Sequence, residues 1–191
     1  MKRIGLTGNI GSGKSTIASC FKIIGIPVFN ADDEAKFIMN NDSALQEKLI
    51  NNFGENVFNK NGLNRKYLSS LAFNNIKVLN KLNNIVHPLV RDSFEVWCNQ
   101  QNSEYVIKEA AILFESNSND SLDECICVCC PEKIRLQRTL NRGGLSKKEI
   151  VQRMSSQWSE KKKKALSNHV IVNDDSCPVM PQILKIHESL K

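Results

Sequence analysis

Residues 5–16, Gly-Leu-Thr-Gly-Asn-Ile-Gly-Ser-Gly-Lys-Ser-Thr, hold four glycines, three of them (Gly8, Gly11 and Gly13) in a short polar loop, followed by a lysine and two hydroxyls. The run before it, Lys2 to Thr7, is short and apolar and reads as a buried strand. The stretch after it, Ser15 to Ile24, has Ile17, Ala18, Phe21 and Ile24 at helical spacing, with Gly25 as a C-cap. Gly8 to Ser15 fits G-x-x-x-x-G-K-[ST] without a mismatch. Each part has a physical use. Gly8, Gly11 and Gly13, with Ser12 between the last two, let the backbone curl round an anion with its N–H groups pointing inward. The helix opening at Lys14, Ser15 and Thr16 turns its positive end toward the same anion. Lys14 reaches the β- and γ-phosphates of a nucleoside triphosphate, and the Ser15 hydroxyl is a ligand for Mg²⁺. Asn9 is one of the few non-glycine residues that tolerates the left-handed region.

Further along, Ile26 to Phe29 is a second short strand, so strand, loop, helix and strand form a βαβ unit with parallel strands. Strand character returns at Glu104 to Leu113, at Cys125 to Cys130 and at His169 to Val172. Glu132 to Leu140 is a basic helix, interrupted by Gly143-Gly144. Ser146 and Glu149 are spaced as a capping box for the next helix. The tail after Pro181 reads as a final helix. The intervening stretch, 32–103, is polar, Asn-rich and helical in pattern, with little strand character. The expected architecture is a single α/β domain of the P-loop NTPase class, a five-stranded parallel sheet flanked by helices. Residues 1–31, 104–134 and 156–191 form its core, 32–103 a helical acceptor-binding insertion, and 135–155 a small helical lid.

The chain has 191 residues, 41% of them hydrophobic, which is enough for a core and argues against global disorder. A net charge of +6 suits an anionic substrate as well as a nucleic acid. Seven cysteines and no secretory apolar segment suggest reduced thiols and a soluble cytoplasmic protein. Cys125, Cys127 and Cys129 alternate along a strand, so they line one face of it as small hydrophobes; their spacing does not suit zinc. Lys161 to Lys164 reads as a solvated helix face rather than a nucleic-acid patch. No membrane or nucleic-acid partner is expected.

The loop says what is bound but not what accepts the phosphoryl group. A guanine-reading Asn-Lys-x-Asp element is missing, and a helical insertion with an Arg-bearing, glycine-hinged helix suits a small-molecule kinase with a closing lid. Arg138 and Arg142, four apart, share one face of that helix. Another P-loop kinase of nucleoside monophosphates, or a nucleotide-dependent switch without an acceptor, fits the loop as well.

Several segments, in order, resemble the dephospho-CoA kinase family: residues 5–16, Val28-Phe-Asn-Ala-Asp32, Ile85-Val-His-Pro-Leu-Val-Arg91, Leu113-Phe-Glu115, Arg138 and Arg142 ahead of Gly144 and Ser146, and Val170-Ile-Val-Asn173. The family usually has Gly, Asp and Pro where this chain has Asn9, Asn30 and Ala111. The resemblance implies ATP- and Mg²⁺-dependent phosphorylation of the ribose 3′-hydroxyl of dephospho-coenzyme A. It implies Asp32 as the base that takes the hydroxyl proton, although Asp32 and the neighbouring Asp33 are equally able to cap the following helix. It puts His87 and Arg91 near the acceptor, together with Thr7, Leu113, Phe114 and Glu115 at strand ends. A His-Pro pair otherwise marks a helix start. It makes Arg142 a lid residue over the triphosphate, with Arg138 beside it. Asn173 falls in the region where adenine packs, and it reads equally as a turn residue.

Overall fold

The first strand, β1 (Lys2–Thr7), is buried along Ile4 to Thr7 on both faces, as the central strand of a parallel sheet must be. In this computed structural model, which describes residues 1–73 and 75–191, β1 runs into the glycine loop and then α1 (Lys14–Ile23) and β2 (Val28–Asn30). The chain divides into two units, residues 1–30 with 100–191 and residues 31–99.

The first unit continues with β5 (Tyr105–Glu109), β6 (Glu124–Cys129), α6 (Glu132–Arg142), α7 (Lys147–Ser155), α8 (Glu160–Ala165), β7 (His169–Val172) and α9 (Val179–Leu190). Its five strands are all parallel and lie in the order β2-β5-β1-β6-β7. The chain leaves β1 for β2 and β5 on one side, and β6 and β7 lie on the other, so the loop after β1 opens at the point where the strand order reverses, the place where α/β sheets bind ligands. Ile17, Ala18 and Phe21 of α1 and Ile183, Ile186 and Leu190 of α9 pack on Ile4, Leu6, Ile107, Ile126 and Ile171 of the sheet. β7 is an edge strand. Its Val172 N–H donates to Gln182 Oε1 at 2.8 Å, and Gln182 Nε2 donates back to the Val172 carbonyl at 2.9 Å.

The second unit holds α2 (Ala31–Asn41), α3 (Ser43–Phe53), a two-residue hairpin of β3 (Phe58–Asn59) and β4 (Gly62–Leu63), α4 (Arg65–Phe73) and α5 (Ile76–Asn99). Leu45, Leu49, Phe53, Val57 and Leu68 form its core. Part of its asparagine content has a local purpose. The Tyr67 N–H donates to Asn64 Oδ1 and the Lys77 N–H to Asn75 Oδ1, at the starts of α4 and α5. Asn40 Oδ1 accepts the Leu63 N–H at 3.0 Å and holds the hairpin.

Three expectations are corrected. His87-Pro88 is no helix start: Pro88 lies inside the 24-residue α5. Val86, Val90, Phe94 and Cys98 recur every four residues and are all buried, so packing on both sides of Pro88 carries the helix through its missing N–H. The short hairpin escaped notice because two-residue strands have no periodicity to read. The lysine run forms α8, but Lys163 is fully buried, so the face is not purely solvated. Other local signals hold. Ser146 and Glu149 make both bonds of the capping box. Cys127 and Cys129 face the same way, with Sγ atoms 3.8 Å apart. Burial pushes the Cys125 thiol up to about 11, and all seven cysteines are free thiols. Among the described residues, no helix is long and apolar enough to cross a membrane.

Candidate active site

The glycine loop is shaped by what surrounds it as well as by its own torsions. Gly11 and Gly13 have φ of 78° and 89°, a region that side chains rarely enter. A Cβ on Gly11 would collide with the Arg135 carbonyl and lie 2.7 Å from Thr139 Oγ1, both on α6, and one on Gly13 would collide with the Asn173 amide. The loop is therefore packed against α6 and the end of β7. Asn9 is not among the non-glycine residues with positive φ, which corrects the left-handed reading. Its side chain is used instead, as Asn9 Nδ2 donates to the Trp158 carbonyl at 2.9 Å.

Lys14 is the first residue of α1 and is half-buried, and Ser15 and Thr16 follow it, exposed. Ser15 Oγ donates to Glu109 Oε1 at 3.3 Å, and Asn30 Nδ2 donates to Glu109 Oε2 at 3.2 Å. Glu109 closes β5 and is 6% exposed. Sequence reading missed it, because a glutamate ending a strand looks like the polar edge of a loop. Only the pairing of β1 with β5, Leu6 opposite Glu109, brings it beside the loop. A hydroxyl and a buried carboxylate are hard oxygen donors, the kind Mg²⁺ takes, so the residues at this spot fit the ion. Near them, Thr7 Oγ1 and Ser12 Oγ are buried and have no hydrogen-bond partner among the described residues. Buried hydroxyls are ordinarily paired, so these two stand out beside the glycine loop.

Asn173 and Arg138 form a second support. Asn173 Nδ2 donates to the Ser12 carbonyl at 2.8 Å; Arg138 donates to the Asn173 carbonyl at 2.9 Å and pairs with Asp175 at 2.6 Å. Asn173 is thus neither a bare turn residue nor free of the loop: it ties the end of β7 to the loop's backbone. Arg142, one helical turn beyond Arg138, is exposed at the end of α6. Gly143 and Gly144 follow with φ of 74° and 81°, and a Cβ on either would meet nothing within 4 Å. Both glycines thus hold torsions that side chains rarely adopt, with open space beside them.

Three residues expected near the acceptor, Leu113, Phe114 and Glu115, make contacts within the first unit. Leu113 is fully buried, and a Cβ on Gly5 would come within 2.6 Å of it, so it is core. Glu115 Oε1 accepts the Trp158 N–H at 2.9 Å and pairs with the buried Lys163 at 2.9 Å; Lys163 also donates to the Ala111 carbonyl at 2.6 Å. A buried ammonium needs such partners; Glu115 Oε1 serves this one, while Glu115 Oε2 is buried with no hydrogen-bond partner among the described residues. Phe114 is likewise buried.

In the second unit, Asp32, Asp33 and Glu34 make up the acidic first turn of α2, so neither aspartate is an N-cap outside the helix. Asp33 pairs with Lys36, and Glu34 accepts from Ser93 Oγ at 2.5 Å. Asp32 is exposed. His87 is half-buried and Arg91 exposed, one turn apart on α5 and therefore on one face.

The model of the dephospho-CoA kinase family matches residues 2–178. The chain belongs to the dephospho-CoA kinase family. A dephospho-CoA kinase of Bacteroides fragilis is 35% identical over 185 residues, 96% of this chain and 90% of that protein. Among solved structures, TT1252 from Thermus thermophilus has a TM-score of 0.88 at 31% identity, covering 98% of this chain and 96% of its own. The dephospho-CoA kinase from Campylobacter jejuni has a TM-score of 0.69 at 25% identity, covering 100% and 98%. Membership of the dephospho-CoA kinase family makes the chain a kinase, a phosphotransferase with an alcohol acceptor.

Proposed function

We propose that the chain transfers the γ-phosphoryl group of ATP to the ribose 3′-hydroxyl of dephospho-coenzyme A, giving coenzyme A and ADP. The acceptor follows from family membership. The observation that carries the transfer chemistry is the Ser15–Glu109 contact beside the glycine loop at the carboxyl edge of the sheet. The loop N–H groups and the N-terminus of α1 bind the phosphates, and Lys14 neutralises charge between the β- and γ-groups. Mg²⁺, when bound, neutralises the phosphate oxygens, and Ser15 and Glu109 are the residues that would hold it. Asp32 takes the proton of the 3′-hydroxyl as its oxygen forms a bond to the γ-phosphorus and the bond to ADP breaks. Arg142 swings on Gly143-Gly144 to meet the charge that spreads over the transferring group. His87 and Arg91 contact the acceptor, Arg91 through one of its phosphates.

The substrate assignment is tested by an acceptor panel. Turnover with dephospho-CoA should exceed that with AMP, CMP or dTMP by orders of magnitude. A preference for any monophosphate, or ATP hydrolysis with no acceptor turnover, would overturn it.

The metal assignment has its own test. Glu109→Gln keeps an oxygen for the Ser15 hydroxyl but removes the charge. Loss of such a partner typically costs roughly 10–100-fold in metal affinity or activity. The Mg²⁺ concentration giving half-maximal rate should therefore rise by about that factor. An unchanged Mg²⁺ dependence would show that Glu109 serves only the fold.

A further inference from the structure

Two residues far along the chain hold the tip of the glycine loop. The Ile10 N–H donates to Gln157 Oε1 at 2.8 Å. The Asn9 carbonyl, the other half of the same peptide unit, accepts the Ser12 N–H at 3.0 Å. This peptide plane is therefore clamped at both ends, once by the loop itself and once by Gln157. The Asn9 side chain, 3% exposed, adds its bond to the Trp158 carbonyl.

Residues 156–159 form no helix or strand; they lead from the end of α7 to the start of α8. Their far side is fixed. The Trp158 N–H is held by Glu115, which is held by the buried Lys163, and Lys162 Nζ lies 3.1 Å from the centroid of the Trp158 ring. Their near side continues into α7, which follows Gly143-Gly144.

We infer that Gln157 and Trp158 form a strap that sets the shape of the phosphate loop, with Gln157 as a positioning residue for ATP. A cradle binds an anion through the directions of its N–H groups. Those directions are fixed only if each peptide plane is fixed. Without Gln157, only the Ser12 bond holds the Asn9–Ile10 peptide, and turning it over against that single bond re-aims the donors that follow. The strap is also the direct covalent continuation of α7. The inference rests on reading residues 8–16 as the triphosphate cradle.

The test is Gln157→Met, which removes the acceptor at similar length. It should raise the Kd and KM for ATP about tenfold or more, leave the KM for dephospho-CoA within about twofold, and speed hydrogen exchange at the Ile10 amide. Wild-type ATP affinity in Gln157→Met, or unchanged exchange at the Ile10 amide, would overturn the strap. Should Gln157→Met fail to fold, Asn9→Ala gives the second reading. It loses the Trp158 link, and ATP affinity should fall with the acceptor KM unchanged; an unchanged ATP affinity would overturn the strap. Lys14→Ala, measured alongside, separates the two ideas. If it keeps full turnover, the cradle reading fails; if it is impaired while Gln157→Met is not, the strap alone is wrong.

Discussion

Changing Asp32 to asparagine should lower kcat for 3′-phosphorylation of dephospho-CoA by about 10²–10⁴-fold, the usual contribution of a positioned general base, while ATP affinity stays close to wild type. The side chain is nearly isosteric and exposed at the first turn of α2, so the fold should survive. The amide has no site for the hydroxyl proton. Asp33→Asn is the matched control. It breaks the Asp33–Lys36 pair, whose side chains are 66% and 42% exposed, and exposed pairs of this kind are worth roughly 0.2–1 kcal/mol. Its activity should therefore be near wild type. The reverse result, with Asp33→Asn inactive and Asp32→Asn mild, would move the base by one residue. Full activity in both would remove any carboxylate base from this turn.

Lys14→Ala should lower the rate of transfer by about 10²–10³-fold, the scale seen when one preorganised charge-stabilising donor is deleted. ADP binding should fall much less. The loop's N–H groups, fixed by Asn173 at Ser12 and by Gln157 at Ile10, still hold the phosphates, while the cation that meets developing charge is gone. Single-turnover rates and ADP titrations on the same preparation give both quantities. Near-normal turnover would sink the assignment of the loop.

What could be read from the sequence was local. The glycine loop, the strand before it and the helix after it lie within about twenty residues, and their signal is a fixed spacing. The Ser146–Glu149 capping box is three residues long and its two bonds form as its spacing predicts. Alternation placed Cys127 and Cys129 on one face. What could not be read depended on partners distant in the chain. Glu109 looks like any strand end until β5 pairs with β1. Glu115 gives no sign in the sequence of its pair with Lys163, which turns inward from a run of four lysines to meet its Oε1. The His-Pro pair obeys its local rule in most settings, but here the buried stripe of α5 outweighs one missing hydrogen bond. Gln157 carries no motif at all, and its importance is visible only as a bond to Ile10.

The Gln182 side chain on the last strand has a consequence for how copies of the protein behave toward one another. An edge strand offers unpaired N–H and C=O groups to any other strand that arrives, which is a common route to aggregation. Gln182 presents its own amide to both polar groups of Val172, in the manner of a further strand one residue long. That stretch of the edge is already taken, so edge-to-edge stacking of two molecules has no free register there, and a single side chain from α9 supplies the protection.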